Sequence, residues 1–150
     1  MAAARRQQIL EAIQTRLQAI RVGGGYNTDA GLAVYLGESP VLGPDDPDVA
    51  IAIVPIDDAV DAQVKGLLIA LPVEIEALAK ADLAEPWVAV EQILQDIKRA
   101  HELEDRTLGG LLSSAFERGT TRSLPRQPGS TTVGAGIGYL CRYKEAWGNP

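Results

Sequence analysis

Residues 131–143 read TTVGAGIGYLCRY, and the run Gly134-Ala135-Gly136-Ile137-Gly138 within them is the first candidate for chemistry. A dinucleotide loop places its glycines between a strand and a helix N-terminus, so that backbone N–H groups and the helix dipole meet a pyrophosphate. Here the glycines fall on every second residue and run into YLCRYKEAW, with no helix start behind them. Nor does a Lys-Ser or Lys-Thr follow any glycine cluster, as a Walker loop requires. The alternation describes a strand instead. It puts Val133, Ala135, Ile137, Tyr139, Cys141 and Tyr143 on one face and Gly134, Gly136 and Gly138 on the other. A bare glycine face lets another backbone, a helix or a neighbouring subunit come close.

The remaining reactive residue types are sparse. His101, the single histidine, falls on the apolar face of a helical segment near its C-terminal end, where packing or capping is the expected role. Cys141 takes an inward strand position and reads as a small buried hydrophobe; being alone, it excludes an internal disulfide. The stretch ESPVLGPDDPD carries Glu38, Asp45, Asp46 and Asp48, but it lacks the ordered ligand spacing and bidentate Glu of a calcium loop. A solvated loop is expected. Arg118, Arg122 and Arg126, with Arg106 upstream, give the opposite charge, and an acidic loop with a basic arm on one small domain suits contact between identical subunits. Trp87 reads as core, whereas Trp147, in KEAWGNP, would gain most by docking on a neighbour. No catalytic group, cofactor-binding set or metal site is expected.

These residues need a frame. A chain of 150 residues is long enough for one sizeable core and too short to expect two. Its net charge of -6 argues against a dedicated nucleic-acid binder, which needs a basic stripe to displace counterions. No continuous apolar h-region opens the sequence, and no run reaches the length of a membrane span. Leu10, Ile13, Leu17 and Ile20 predict an amphipathic helix from Ala3 to Ile20, stopped by Gly23-Gly24-Gly25. Residues 31–37 and 48–56 read as two strands joined as a hairpin around the acidic loop. In VKGLLIALPVEIEALAK the odd positions Leu67 to Ala77 alternate with a more polar set, a third strand. Pro72 interrupts it and should turn its missing donor toward solvent, a bulge or an unpaired edge. Pro86 opens a second helix running to about Leu103, with Trp87, Val90, Leu94, Ile97 and His101 near one face. Residues 111–116 suit a helical turn or a strand, and the rest of 104–130 reads as a flexible arm. The expected fold is α+β: one domain over 1–150, an antiparallel or mixed sheet of about four strands packed against two main helices, with a flexible loop 38–48 and arm 104–130.

Taken together, GGGYNTDAGLAVYLGESPVL, AIAIVPI, VEIEALAK, PWVAVEQILQDIKRAHELEDRTLGGL and YLCRYKEAWGNP resemble the tail terminator, or tail completion, proteins of long-tailed bacteriophages and prophages. The similarity runs from about residue 10 to 150, and DIKRA, TLGGL and the closing GNP carry most of it. What it implies is a structural subunit, not an enzyme, that assembles with copies of itself into a six-membered ring. Such a ring caps the tail tube protein, ends its polymerisation and offers a docking surface to head-tail connector proteins. Its place would be the tail or neck of the virion, after assembly in the bacterial host cytoplasm. DNA would pass through the lumen without sequence-specific binding, and no cofactor, metal or membrane is implied. Asp45, Asp46, Asp48, Arg118, Arg122, Arg126, Gly134, Gly136, Gly138 and Trp147 are the candidate interface residues; acidic groups facing the lumen would keep DNA from sticking. The alternatives are a neck connector subunit, or a small cytosolic enzyme or ligand-binding protein, which would need a pocket of convergent polar groups.

Overall fold

The computed structural model describes residues 3–63 and 65–150, and in them two helices lie on one face of a mixed six-stranded sheet. Helix α1 (Arg5–Gln18) forms because Ile9, Ile13 and Leu17, four residues apart, line one stripe, and all three are fully buried. Burial of each contributes about 1.5–3 kcal/mol. The helix stops two residues before the expected Ile20, where a short 3-10 turn, Ala30–Leu32, packs under its end. Gly31 donates its N–H to the Ile20 carbonyl at 2.9 Å. A Cβ there would collide with the carbonyl oxygens of Leu17, Gln18 and Ile20, so this approach requires glycine.

The strands are β1 (Val34–Leu36), β2 (Val49–Pro55), β3 (Ala59–Ala62), β4 (Leu67–Lys80), β5 (Glu117–Leu124) and β6 (Thr132–Glu145). Their order is β1-β2-β4-β6-β5, with β3 also on β4. The central pair, β4 and β6, is antiparallel from Leu67 opposite Glu145 to Lys80 opposite Thr132. The odd residues from Ile69 to Ala79 and from Val133 to Tyr143, among them Leu71, Ile75, Ile137 and Tyr139, are buried beneath the helices. Helix α2 (Pro86–Glu102) adds Val90, Ile93, Leu94 and Ile97 to the same core. Among the described residues no helix is long and apolar enough to cross a membrane.

Four expectations are corrected. Strands β1 and β2 pair in parallel, not as a hairpin. The segment 37–48 between them is long enough for the crossover that parallel strands need, and Leu42, 1% exposed, pins it against Ala50, Ala52 and Leu78 on the sheet face opposite the helices. The loop is thus anchored, while Asp45 and Asp48 stay exposed. Second, the arm 104–130 is largely built into the fold: Leu108, Leu112 and Phe116 are buried, and 117–124 form β5. Third, within the expected α+β fold of two helices on a mixed sheet, the strands number six and not about four, because β3 and β5 add exposed strands at its margins. Fourth, Trp87 is 45% exposed; it lies outside the core, and full burial along α2 begins at Val90.

Pro72 behaves as its chemistry requires. Its carbonyl accepts the Ile56 N–H at 2.9 Å, so its nitrogen, which an antiparallel strand points to the same side, faces Ile56 without a proton to give. The ladder breaks there: β2 ends at Pro55 opposite Val73, and β3 resumes the same column at Ala59 opposite Ala70.

Candidate functional site: the open sheet face and its edges

Gly134, Gly136 and Gly138 lie on the sheet face away from the helices, opposite Leu78, Glu76 and Glu74 of β4. That strip is not left bare for a second chain. Glu74 leans over Gly136 so closely that a Cβ there would meet its carboxylate, and Glu74 pairs with Arg122 of β5 at 2.8 Å. A Cβ on Gly134 would lie 2.9 Å from the Ala77 carbonyl oxygen and from Leu78 Cδ2. The close approach is therefore made inside the subunit, by its own Glu74 and Leu78, and only half-buried Gly138 keeps room. Beside them Glu76 is 7% exposed. Burial raises its carboxyl above the ordinary range, against an opposing hydrogen bond with Ser39 and with help from the Glu74 charge. Among the described residues neither Glu74 Oε1 nor Glu76 Oε1 has a hydrogen-bond partner.

The acidic loop and the basic arm do meet, at the Lys80 end of β4. Asp48, Lys80, Arg126 and Thr131 are among the residues lining a cleft of about 510 Å³ there. Its cations are already engaged. Lys80 Nζ donates to the Asp46 carbonyl at 2.6 Å and lies 3.5 Å from Asp48, while Arg126 donates to the Ser130 carbonyl. The Asp46 carboxylate accepts the Gly43 N–H at 2.7 Å. Asp46 and Asp48 thus brace the loop, and Asp45 projects to solvent. Among the described residues no three potential ligands gather into a metal site.

His101 is completely buried, stacked on Phe116 at 4.2 Å between ring centroids and edge-on to Tyr139 at 4.7 Å. Desolvation, with the nearby Arg16 charge, pushes its pKa down to about 3. A base with that pKa is far from the range useful near neutrality. The α2 C-terminus is capped by Arg16, which donates to the His101 and Glu104 carbonyls, so the histidine is a packing residue only. Burial likewise pushes the Cys141 thiol up to about 12, away from nucleophilic use.

The sequence reading missed Asp96. It is 1% exposed and accepts the Asn27 N–H at 2.9 Å, the Thr28 N–H at 2.9 Å and the Thr28 hydroxyl at 2.7 Å. It ties the loop before β1 to α2, and its visible signal was a carboxylate inside the Ile93–Ile97 stripe.

At the sheet margins β5 is exposed from Glu117 to Ser123 and β3 throughout. Arg118 lies 3.4 Å from Glu102, which also accepts the Tyr139 hydroxyl at 2.6 Å. Trp147 is 68% exposed just beyond β6. The aspartates around β3, Asp57, Asp58 and Asp61, are a second acidic group that the sequence reading did not single out. No protein-family model matches the chain, and no curated protein matches it significantly.

Proposed function

We propose that the protein is a structural subunit of a long-tailed phage or prophage, a tail terminator that assembles into a ring, six-membered by the resemblance. The ring would cap the tail tube, stop its growth and receive the head, acting by assembly in the host cytoplasm and then residing in the virion. The observation that carries this reading is the pair of unlike sheet margins, β3 and β5, exposed on one chain together with Trp147. A closed ring of identical subunits needs two different patches per subunit, one for each neighbour. TLGGL forms a tight turn in which Leu108, Gly109 and Gly110 adopt positive φ and the Asp105 carboxylate accepts the Gly109 N–H at 2.7 Å, leading the chain from α2 to β5.

Deleting the coding sequence in the parent phage tests the proposal. Overlong tail tubes, or tails that fail to join filled heads, are the expected result. Normal tails beside leaking heads would assign the subunit to the neck instead, and normal infectious particles would overturn both readings.

A further inference from the structure

Besides three-residue β1, which pairs only with β2, two margins of the sheet are free among the described residues, and they carry opposite charge. On one side β3 pairs only with β4, and the segment 56–62 reads Ile-Asp-Asp-Ala-Val-Asp-Ala, with Asp57, Asp58 and Asp61 and no basic residue. On the other side β5 pairs only with β6, and 117–126 carries Arg118, Arg122 and Arg126 against Glu117 alone. Every residue of β3, and β5 up to Ser123, is exposed, so each margin offers backbone N–H and C=O groups without a protein partner.

We infer that the acidic β3 margin of one copy adds to the basic β5 margin of the next, continuing the sheet from subunit to subunit. The inference rests on the ring reading and names its subunit contact. Direction favours it. Strands β4 and β5 both run antiparallel to β6, and β3 runs antiparallel to β4, so β3 is antiparallel to β5. Strand β3 lies level with residues 142–144 of β6 and β5 level with 134–140, so copies rotated about an axis inclined to the strands bring the two margins side by side, and they meet as an antiparallel ladder. Charge favours it too. Like margins repel, β3 from β3 and β5 from β5, which disfavours a two-fold edge pair relative to the head-to-tail contact that propagates around a ring. The existing ion pairs do not oppose it. Arg118 with Glu102 and Asp61 with Arg142 are open to solvent, and Asp57 and Arg126 are in no ion pair among the described residues. Exposed pairs exchange at little cost. Ile56 and Val60, 46% and 47% exposed, give the β3 margin apolar area to bury.

Two complementary variants test this. Asp57→Lys with Asp61→Lys makes both margins basic; Arg118→Glu with Arg126→Glu makes both acidic. Asp58 and Arg122 stay, because they hold Arg6 and Glu74. Light scattering should show the unmodified protein associating beyond a dimer, each variant alone at least about tenfold weaker, and the equimolar mixture restored, since each then presents the charge the other lacks. Amide exchange in 117–124 should slow on assembly. A salt titration of the unmodified protein needs no variant: association should weaken as the screening length falls from about 10 Å at 0.1 M to about 3 Å at 1 M. Variants that assemble like the unmodified protein, or assembly indifferent to salt with 117–124 still exchanging freely, would overturn the margin pairing and leave the ring intact. An unmodified protein and a mixture that both stay monomeric would overturn the ring as well.

Discussion

Replacing His101 with Phe should make the protein resist mild acid. His101 is stacked at 7° to the Phe116 ring, and neither of its ring nitrogens has a hydrogen-bond partner among the described residues. A phenyl ring keeps the stack and removes two orphaned polar atoms. In the folded chain the pKa is about 3, against 6.5 for a free histidine, so between those values the unfolded chain binds a proton that the folded one refuses. Stability therefore falls as pH drops through that window. At about 1.4 kcal/mol per pH unit the whole window is worth about 4–5 kcal/mol, and about 2 kcal/mol is already gone at pH 5. Urea unfolding of both proteins at pH 7.5, 6, 5 and 4 reads it directly. With a slope of about 2 kcal/mol per molar, the variant's midpoint should gain about 1 M on the wild type between pH 7.5 and 5. Carboxylates that titrate in the same range affect both proteins equally, so the difference isolates the histidine. Two midpoints falling in parallel from pH 7.5 to 4 would refute the account of a neutral, desolvated imidazole.

Four further substitutions test local structure, the first two separating a close approach that backbone enforces from one that a side chain can relieve. Gly31→Ala should destabilise by about 3 kcal/mol or more, because the new methyl meets three backbone carbonyls at the end of α1; a change in urea midpoint under 0.5 M would be inconsistent with that clash. Gly136→Ala should cost only about 1 kcal/mol, since what it meets is the flexible end of Glu74, and its main effect is to part Glu74 from Arg122. Loss of the folded state on that change would show that the strip is far tighter than Glu74 alone makes it. Asp96→Ala should cost about 3–5 kcal/mol by leaving the buried Thr28 N–H and hydroxyl and the part-buried Asn27 N–H without an acceptor, whereas Asp45→Ala, on an exposed loop residue, should change the midpoint by an amount within error. Equal midpoints for these two would remove Asp96 from its role as a tie.

Helices α1 and α2 and strands β4 and β6 were legible in the sequence because each buries one face, which imprints a period of 3.6 or 2 on the apolar residues. Strands β3 and β5 left no such imprint. AVDA and ERGTTRSL are exposed on both faces, so alternation has nothing to select, and only pairing with β4 and β6 makes them strands. The direction of β1 was equally hidden. A twelve-residue connection serves a hairpin or a crossover, and the choice turned on one residue, Leu42, whose burial depends on a sheet face built by residues 50, 52 and 78. Among the candidate interface residues the arginines of the arm were found, but their partners Glu102 and Glu74 were not, because ion pairs across a sheet follow register and not spacing.

The same register explains why an acidic margin exists at all. Without Pro72 the column formed by β2 would run on along β4, and residues 56–58 would be held in the ladder. With Pro72 the Ile56 carbonyl meets no donor, the chain leaves the ladder after the Ile56 N–H bond, and Asp57 and Asp58 reach solvent before β3 rejoins. A proline is usually read as protection for an edge, and here it does protect β2 from extension. It also creates a second, separate edge strand whose charge is opposite to that of β5. Replacing Pro72 with Val should restore the missing donor, lengthen β2 through Ile56 and draw 57–58 toward the sheet. Amide exchange at Asp57 to Ala59 would then slow, and self-association through the β3 margin would weaken. If exchange slows while association is unchanged, the acidic margin is not a contact and the break at Pro72 serves the fold alone.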